Sequence, residues 1–179
     1  MSLKMKQLAV FRTGRYIPTI SIVVLIVSAI STSVSAQQMN FGATLSGNNL
    51  SPPISTTATG TAKFNVDPQG NMAYEIDVKN IKGVIGAHIG LQNGTDLAQV
   101  FNPYVEIAGK SEIPTGEVNG QLSKGVLTSN DLSGPLIGKN ITQLTALLNN
   151  GSVYVVVRTQ AHESGEIQGH ESSLNSTGK

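Results

Sequence analysis

The strongest constraint on this chain is a period-two alternation that runs on both sides of one tight turn. In 61–66, Ala62, Phe64 and Val66 fall on one side and Thr61, Lys63 and Asn65 on the other. After Asp67-Pro68-Gln69-Gly70-Asn71 the pattern resumes, with Met72, Tyr74, Ile76 and Val78 opposite Glu75, Asp77 and Lys79. Proline fixes φ and glycine accepts φ > 0, so the pentapeptide is a turn. Two alternating runs joined this way predict a β-hairpin with one face in water.

Other segments extend the strand count. Asn40 to Ser46 alternates weakly through Phe41, Ala43 and Leu45, and a turn-rich loop follows over Gly47 to Pro53. Gly83 to Leu91 is a more apolar strand. Ala98 to Ile107 reads as extended, broken at Asn102-Pro103. Glu117 to Leu122 and Val126-Leu127 read as short strands. Val153-Tyr154-Val155-Val156-Val157 has no polar alternation, which predicts a central strand covered on both faces. Glu166 to Glu171 is expected to pair back on it across Ser164-Gly165. One segment reads as helix: Asn140 caps it, Ile141, Leu144, Leu147 and Leu148 make its stripe, and Asn149-Asn150-Gly151 ends it. About seven or eight short strands and one short helix predict an all-β fold, an antiparallel β-sandwich or flattened barrel.

The N-terminus has a different character. Lys4, Lys6, Arg12 and Arg15 precede an apolar run from Ile17 to Ile30, and Val34-Ser35-Ala36 supplies the small residues a signal peptidase accepts. Residues 1–36 are therefore expected to be a signal peptide cleaved after Ala36. The run is short of the roughly 20 residues a spanning helix needs. An uncleaved anchor is the other reading, and the membrane would then be met only through this segment. Both place the domain, expected over 37–171 with a disordered tail over 172–179, at the cell surface or outside it.

All 11 acidic residues lie after Ala36 but only eight of the 12 basic ones do, so the mature chain carries a net charge of −3. It has no basic run, which argues against nucleic acid as a partner, since phosphate contacts need clustered Lys and Arg. Without cysteine there are neither disulfides nor thiolate metal sites. Acceptor triplets for N-glycosylation occur at Asn49, Asn93, Asn140, Asn150 and Asn175. Gly116-Glu117-Val118-Asn119-Gly120 is echoed by Gly165-Glu166-Ile167-Gln168-Gly169; one occurrence is too little for a repeat architecture, and both read as turn-to-strand corners.

The order of these pieces resembles the chordin-type, or CHRD, domain. The matching features are Phe41-x-x-x-Leu45-Ser46-Gly47 with Pro52-Pro53, Thr59-Gly60-x-Ala62-x-Phe64, Tyr74-x-Ile76-x-Val78-x-Asn80 and Gly86-Ala87-His88-Ile89. Later come Leu127-Thr128-x-x-Asp131-Leu132, Leu144 to Gly151, Tyr154-Val155 and Gly165-Glu166-Ile167-x-Gly169. The resemblance implies a secreted or surface β-sandwich. In chordin several such domains sit in an extracellular antagonist of bone morphogenetic proteins; that role is not carried over, because a shared fold is not a shared function. The chain departs from the family pattern at Gly90 and Arg158, where a histidine is usual, and at Gln168, where arginine is usual.

The candidate chemistry is sparse. His88, His162 and His170 are the only histidines, and with an acidic fourth ligand they would make a copper or zinc site with superoxide-dismutase-like redox chemistry. The plainer reading of His88 is a strand histidine held by hydrogen bonds, within reach of Glu166. No nucleophile motif surrounds any serine, and the scattered carboxylates nominate no catalytic pair. Arg158 and Glu166 are expected to oppose each other across neighbouring strands as an ion pair, so that His88, Arg158 and Glu166 form a ligand-facing or structural polar cluster. The sequence thus points to an exported, non-enzymatic binding or structural module, with no cofactor and an extracellular protein or surface polymer as partner. A matrix or envelope structural protein is the third class.

Overall fold

The computed structural model describes residues 38–103, 105–107, 110–112 and 116–174. The expected signal segment and Asn175 lie outside the described residues. Among the described residues, no helix is long and apolar enough to cross a membrane.

The alternating hairpin forms as read. β2 (Thr59–Val66) and β3 (Met72–Lys82) pair antiparallel from Thr59↔Lys79 to Val66↔Met72. Asp67 holds the turn between them, its Oδ1 accepting from the N–H groups of Gln69 and Asn71. The chain enters through β1 (Met39–Ser46), which pairs along the whole of β2. After β3 come β4 (Val84–Leu91), β5 (Asp96–Phe101), and a separate small hairpin of β6 (Val105–Ile107) and β7 (Lys110–Glu112). Then follow β8 (Glu117–Leu127), α1 (Ile141–Asn149), β9 (Val153–Thr159), β10 (Ile167–His170) and the short β11 (Ser172–Ser173).

The strands lie in the order β5-β4-β9-β10-β1-β2-β3-β8, with β11 added beside β1. The sheet curls until its two ends approach, giving a flattened, nearly closed barrel with one short helix, the all-β architecture the pattern predicts. The ends are joined by hydroxyls, since Ser123 Oγ of β8 and Tyr74 Oη of β3 both donate to the Val100 carbonyl of β5, at 2.6 and 3.0 Å.

One face of each long strand except β8 fills the interior. Phe41, Leu45, Phe64, Met72, Ile76, Ile89, Leu97 and Ile167 are all fully buried there. Each contributes roughly 1.5–3 kcal/mol by leaving water. Val153, Val155 and Val157 of β9 point into this core, and Tyr154 and Val156 are buried on the opposite face, so β9 is covered on both sides as its composition implies. The α1 stripe of Ile141, Leu144 and Leu148 joins the same core, and Asn140 Oδ1 caps the helix by accepting from Gln143 N–H.

Several boundaries differ from the sequence reading. The stretch read as separate short strands at Glu117 to Leu122 and Val126-Leu127 is one strand, β8. It forms an end of the sheet path, so most of its side chains stay in water and the apolar alternation that marks inner strands is missing. The domain also runs past the expected end at residue 171. Ser172 and Ser173 pair with Gly42 and Phe41, and Leu174 N–H donates to the Asn40 carbonyl. They occupy the stretch of β1 that β10 does not reach.

Candidate functional site

The alternation of β4 determines which of its residues can meet a ligand. Ala87 and Ile89 are fully buried in the barrel, so Gly86, His88 and Gly90 lie on its outer surface. On that surface β4 is flanked by β5, where Asp96 pairs with Gly90, and by β9, where Arg158 pairs with Gly86 and Val156 with His88. The two glycines keep the ground on either side of His88 clear. A Cβ at Gly86 would lie 2.9 Å from His88 Nε2, and one at Gly90 would lie 3.1 Å from the Tyr154 ring and hydroxyl.

Three side chains converge here. Arg158 donates from both terminal nitrogens to Asp96, at 3.1 and 3.0 Å, and His88 Nδ1 lies 3.6 Å from Asp96 Oδ2. Arg158 is thus the partner of Asp96 and not of Glu166. The expected Arg158–Glu166 pair fails for a geometric reason: the chain bends at Glu166, just before β10, and its carboxylate turns toward the neighbouring Thr159. There Glu166 Oε2 accepts from Thr159 Oγ1 at 2.8 Å and Oε1 from Thr56 Oγ1 at 2.7 Å. Glu166 is a buried acceptor that ties the Thr56 loop to the end of β9. His88 likewise meets Asp96, where the sequence reading had Glu166.

Electrostatics follow from this packing. Burial holds the His88 pKa below its usual 6.5; Asp96 pulls it up and Arg158 pushes it further down. His88 is therefore neutral at pH 7, and its 3.6 Å approach to Asp96 is an electrostatic contact, too long for a hydrogen bond and not a full ion pair. Burial also raises the Tyr154 hydroxyl, with Asp96 acting in the same direction. Arg158 is matched charge for charge by Asp96, and its Nε is buried without a partner among the described residues. A guanidinium so engaged fastens β9 to β5 across β4 and has little left with which to receive an anion.

The remaining sequence candidates are dispersed. His162 sits in the β9–β10 turn, where its N–H donates to Thr159 and its carbonyl accepts from Thr159 N–H. His170 is exposed at the end of β10, edge-on to the Tyr154 ring. Among the described residues no group of three or more His, Asp or Glu is placed to hold a metal ion, so the fold does not assemble His88, His162 and His170 into the ligand set considered from sequence. Of the acceptor asparagines, Asn49 is structural, its Nδ2 donating to the carbonyls of Thr44 and Gln168. Asn93 and Asn140 use Oδ1 in a turn and in the helix cap, and Asn150 is exposed at the helix end.

Sequence reasoning missed Asp96. The signal was present: Asn93-Gly94 makes the turn that closes the β4–β5 hairpin, and counting back from it places Asp96 opposite Gly90. Starting β5 at Ala98 left Asp96 in the loop. The two positions where a family histidine is missing, Gly90 and Arg158, prove to lie on the same face as His88.

The model of the CHRD domain family matches residues 41–170, from the first core phenylalanine to the end of β10. Chordin of Danio rerio is 33% identical over 129 residues, which cover 70% of this chain. The chain spans only 12% of the length of that protein. No solved structure matches. With the match running through every strand of the barrel path, the chain belongs to the CHRD domain family.

Proposed function

We propose that this protein is an exported, non-enzymatic binding module that works at the cell surface or beyond it and holds an extracellular protein or surface polymer. The observation that carries the reading is the extent of the family match, which takes in the whole barrel, together with the basic, apolar and small-residue order of 1–36. The His88–Asp96–Arg158 strap supports a rigid scaffold, because its charges are satisfied within the protein and it locks three strands together. The ligand is then met by other parts of the surface.

The test is expression of the full chain in its own host, followed by cell fractionation and intact-mass analysis. The expected product is extracytoplasmic, begins at Gln37, and adheres to envelope or matrix material. A chain that stays in the cytoplasm with its first 36 residues attached would sink the reading.

A further inference from the structure

Where the sheet fails to close by backbone pairing, a cleft of about 570 Å³ opens beside the hydroxyl bridge between β5 and β8. That size lies within the range of small-molecule sites, about 300–1,000 Å³. We propose that this cleft binds a neutral, hydroxyl-rich saccharide through one or two sugar rings. The proposal rests on the binding-module reading above and names the chemical class of its ligand.

The lining is the argument. Gln99 and Asn130 present primary amides, and although Gln99 Nε2 gives one N–H to the Phe101 carbonyl at 3.4 Å, its second N–H and its oxygen still set a donor beside an acceptor, which suits a pair of adjacent sugar hydroxyls. Ser133 adds a hydroxyl. Tyr74 and Ser123 already give their protons to the Val100 carbonyl, so their oxygens remain available to accept from ligand hydroxyls. Phe101 and Tyr74 are half-buried at the same cleft and offer apolar ring surface to the C–H face of a sugar.

Charge selects against other ligands. No Lys, Arg or His is among the described residues that line the cleft, so a phosphate or sulfate has no counter-charge there. Asp131, the one carboxylate among the described lining residues, has Oδ2 committed to the N–H and hydroxyl of Thr128. An added peptide strand is also disfavoured, since Leu132 bridges to Ala98 and Ser133 N–H donates to the Leu97 carbonyl on that edge of β5. These bonds fix the wall before any ligand arrives, which lowers the cost of ordering it.

The test uses the full chain and a panel of neutral oligosaccharides of glucose, mannose, galactose and N-acetylglucosamine. Uronic-acid and sulfated counterparts serve as charge controls, and binding is read by calorimetry and ligand-observed NMR. The expected result is millimolar or tighter binding of at least one neutral sugar. Asn130→Ala and Gln99→Ala should each weaken it about tenfold. Both substituted amides are exposed, so thermal unfolding serves as the folding control. Failure of every neutral sugar, a preference for the charged ones, or binding indifferent to both amide substitutions overturns the proposal. Adhesion to envelope material measured in parallel separates the two claims. If adhesion persists without sugar binding, the saccharide inference alone falls; if neither is seen, the binding-module reading falls with it.

Discussion

Arg158 and Asp96 form a two-point ion pair between β9 and β5, closing 62 residues of chain with Nη1–Oδ2 at 3.1 Å and Nη2–Oδ1 at 3.0 Å. Both side chains are less than one-third exposed, so removing one leaves the other partly desolvated and unmatched. Arg158→Ala and Asp96→Ala should each lower unfolding stability by about 1–3 kcal/mol. Arg158→Lys should recover only part of this, because an ammonium cannot make both bonds in the plane of the carboxylate. Double-mutant cycles in urea discriminate the partners: coupling is expected for Arg158 with Asp96 and none for Arg158 with Glu166.

His88 reports on the same strap through its titration. Burial keeps its folded pKa below 6.5, so the unfolded chain takes up the proton first as pH falls. The stability that His88 supports is present above pH 6.5 and is lost on acidification through the folded value. Histidine NMR titration should place His88 below the usual value. Asp96→Asn should move it lower still, since Asp96 raises it, and Arg158→Ala should move it up. A His88 that titrates above 6.5, or shifts in the opposite sense in either variant, would contradict the geometry.

The hairpin, the central strand and the capped helix were legible because each is encoded within a few residues: alternation and Asp67-Pro68 for the first, five β-formers for the second, Asn140 and the leucine spacing for the third. The strap was not. Which carboxylate meets Arg158 depends on the β4–β5 register, on bulges within it, and on a bend that turns Glu166 to the threonines. None of these leaves a periodic trace. The seam was hidden for a similar reason, because β8 keeps most of its side chains in water and its joining groups are two hydroxyls and one carbonyl.

The two glycine-bounded corners look alike in sequence and differ in what they tolerate. A Cβ at Gly169 would lie 2.4 Å from the Thr44 carbonyl oxygen and 2.8 Å from Leu45, against the backbone of β1. Gly165 has φ +140° and would press on Val156 at 2.6 Å. At the earlier corner, Gly116 faces open space. Gly169→Ala should therefore destabilise by about 2 kcal/mol or more, Gly165→Ala by a similar amount, and Gly116→Ala by less than about 0.5 kcal/mol. Thermal melts of the three variants check this. Equal losses at Gly116 and Gly169 would mean that the corners share a constraint the packing does not show.

Glu171 gives the domain its second pH dependence, opposite in sign to that of His88. It is 2% exposed, and neither carboxylate oxygen has a hydrogen-bond partner among the described residues. Burial pushes its pKa up to about 8, with no charged neighbour contributing. An unfolded carboxyl titrates near 4.5, so between that value and 8 the folded chain holds a proton that the unfolded chain has released. Stability from this group is complete below pH 4.5, declines as pH rises, and is gone above about 8. Glu171→Gln removes the charge while keeping the shape. It should leave stability at pH 4 nearly unchanged and raise it at pH 9 by roughly 3–5 kcal/mol. Urea midpoints at the two pH values read the difference directly. A gain of the same size at both would mean that the cost at this site comes from an unpartnered polar group and not from its ionisation.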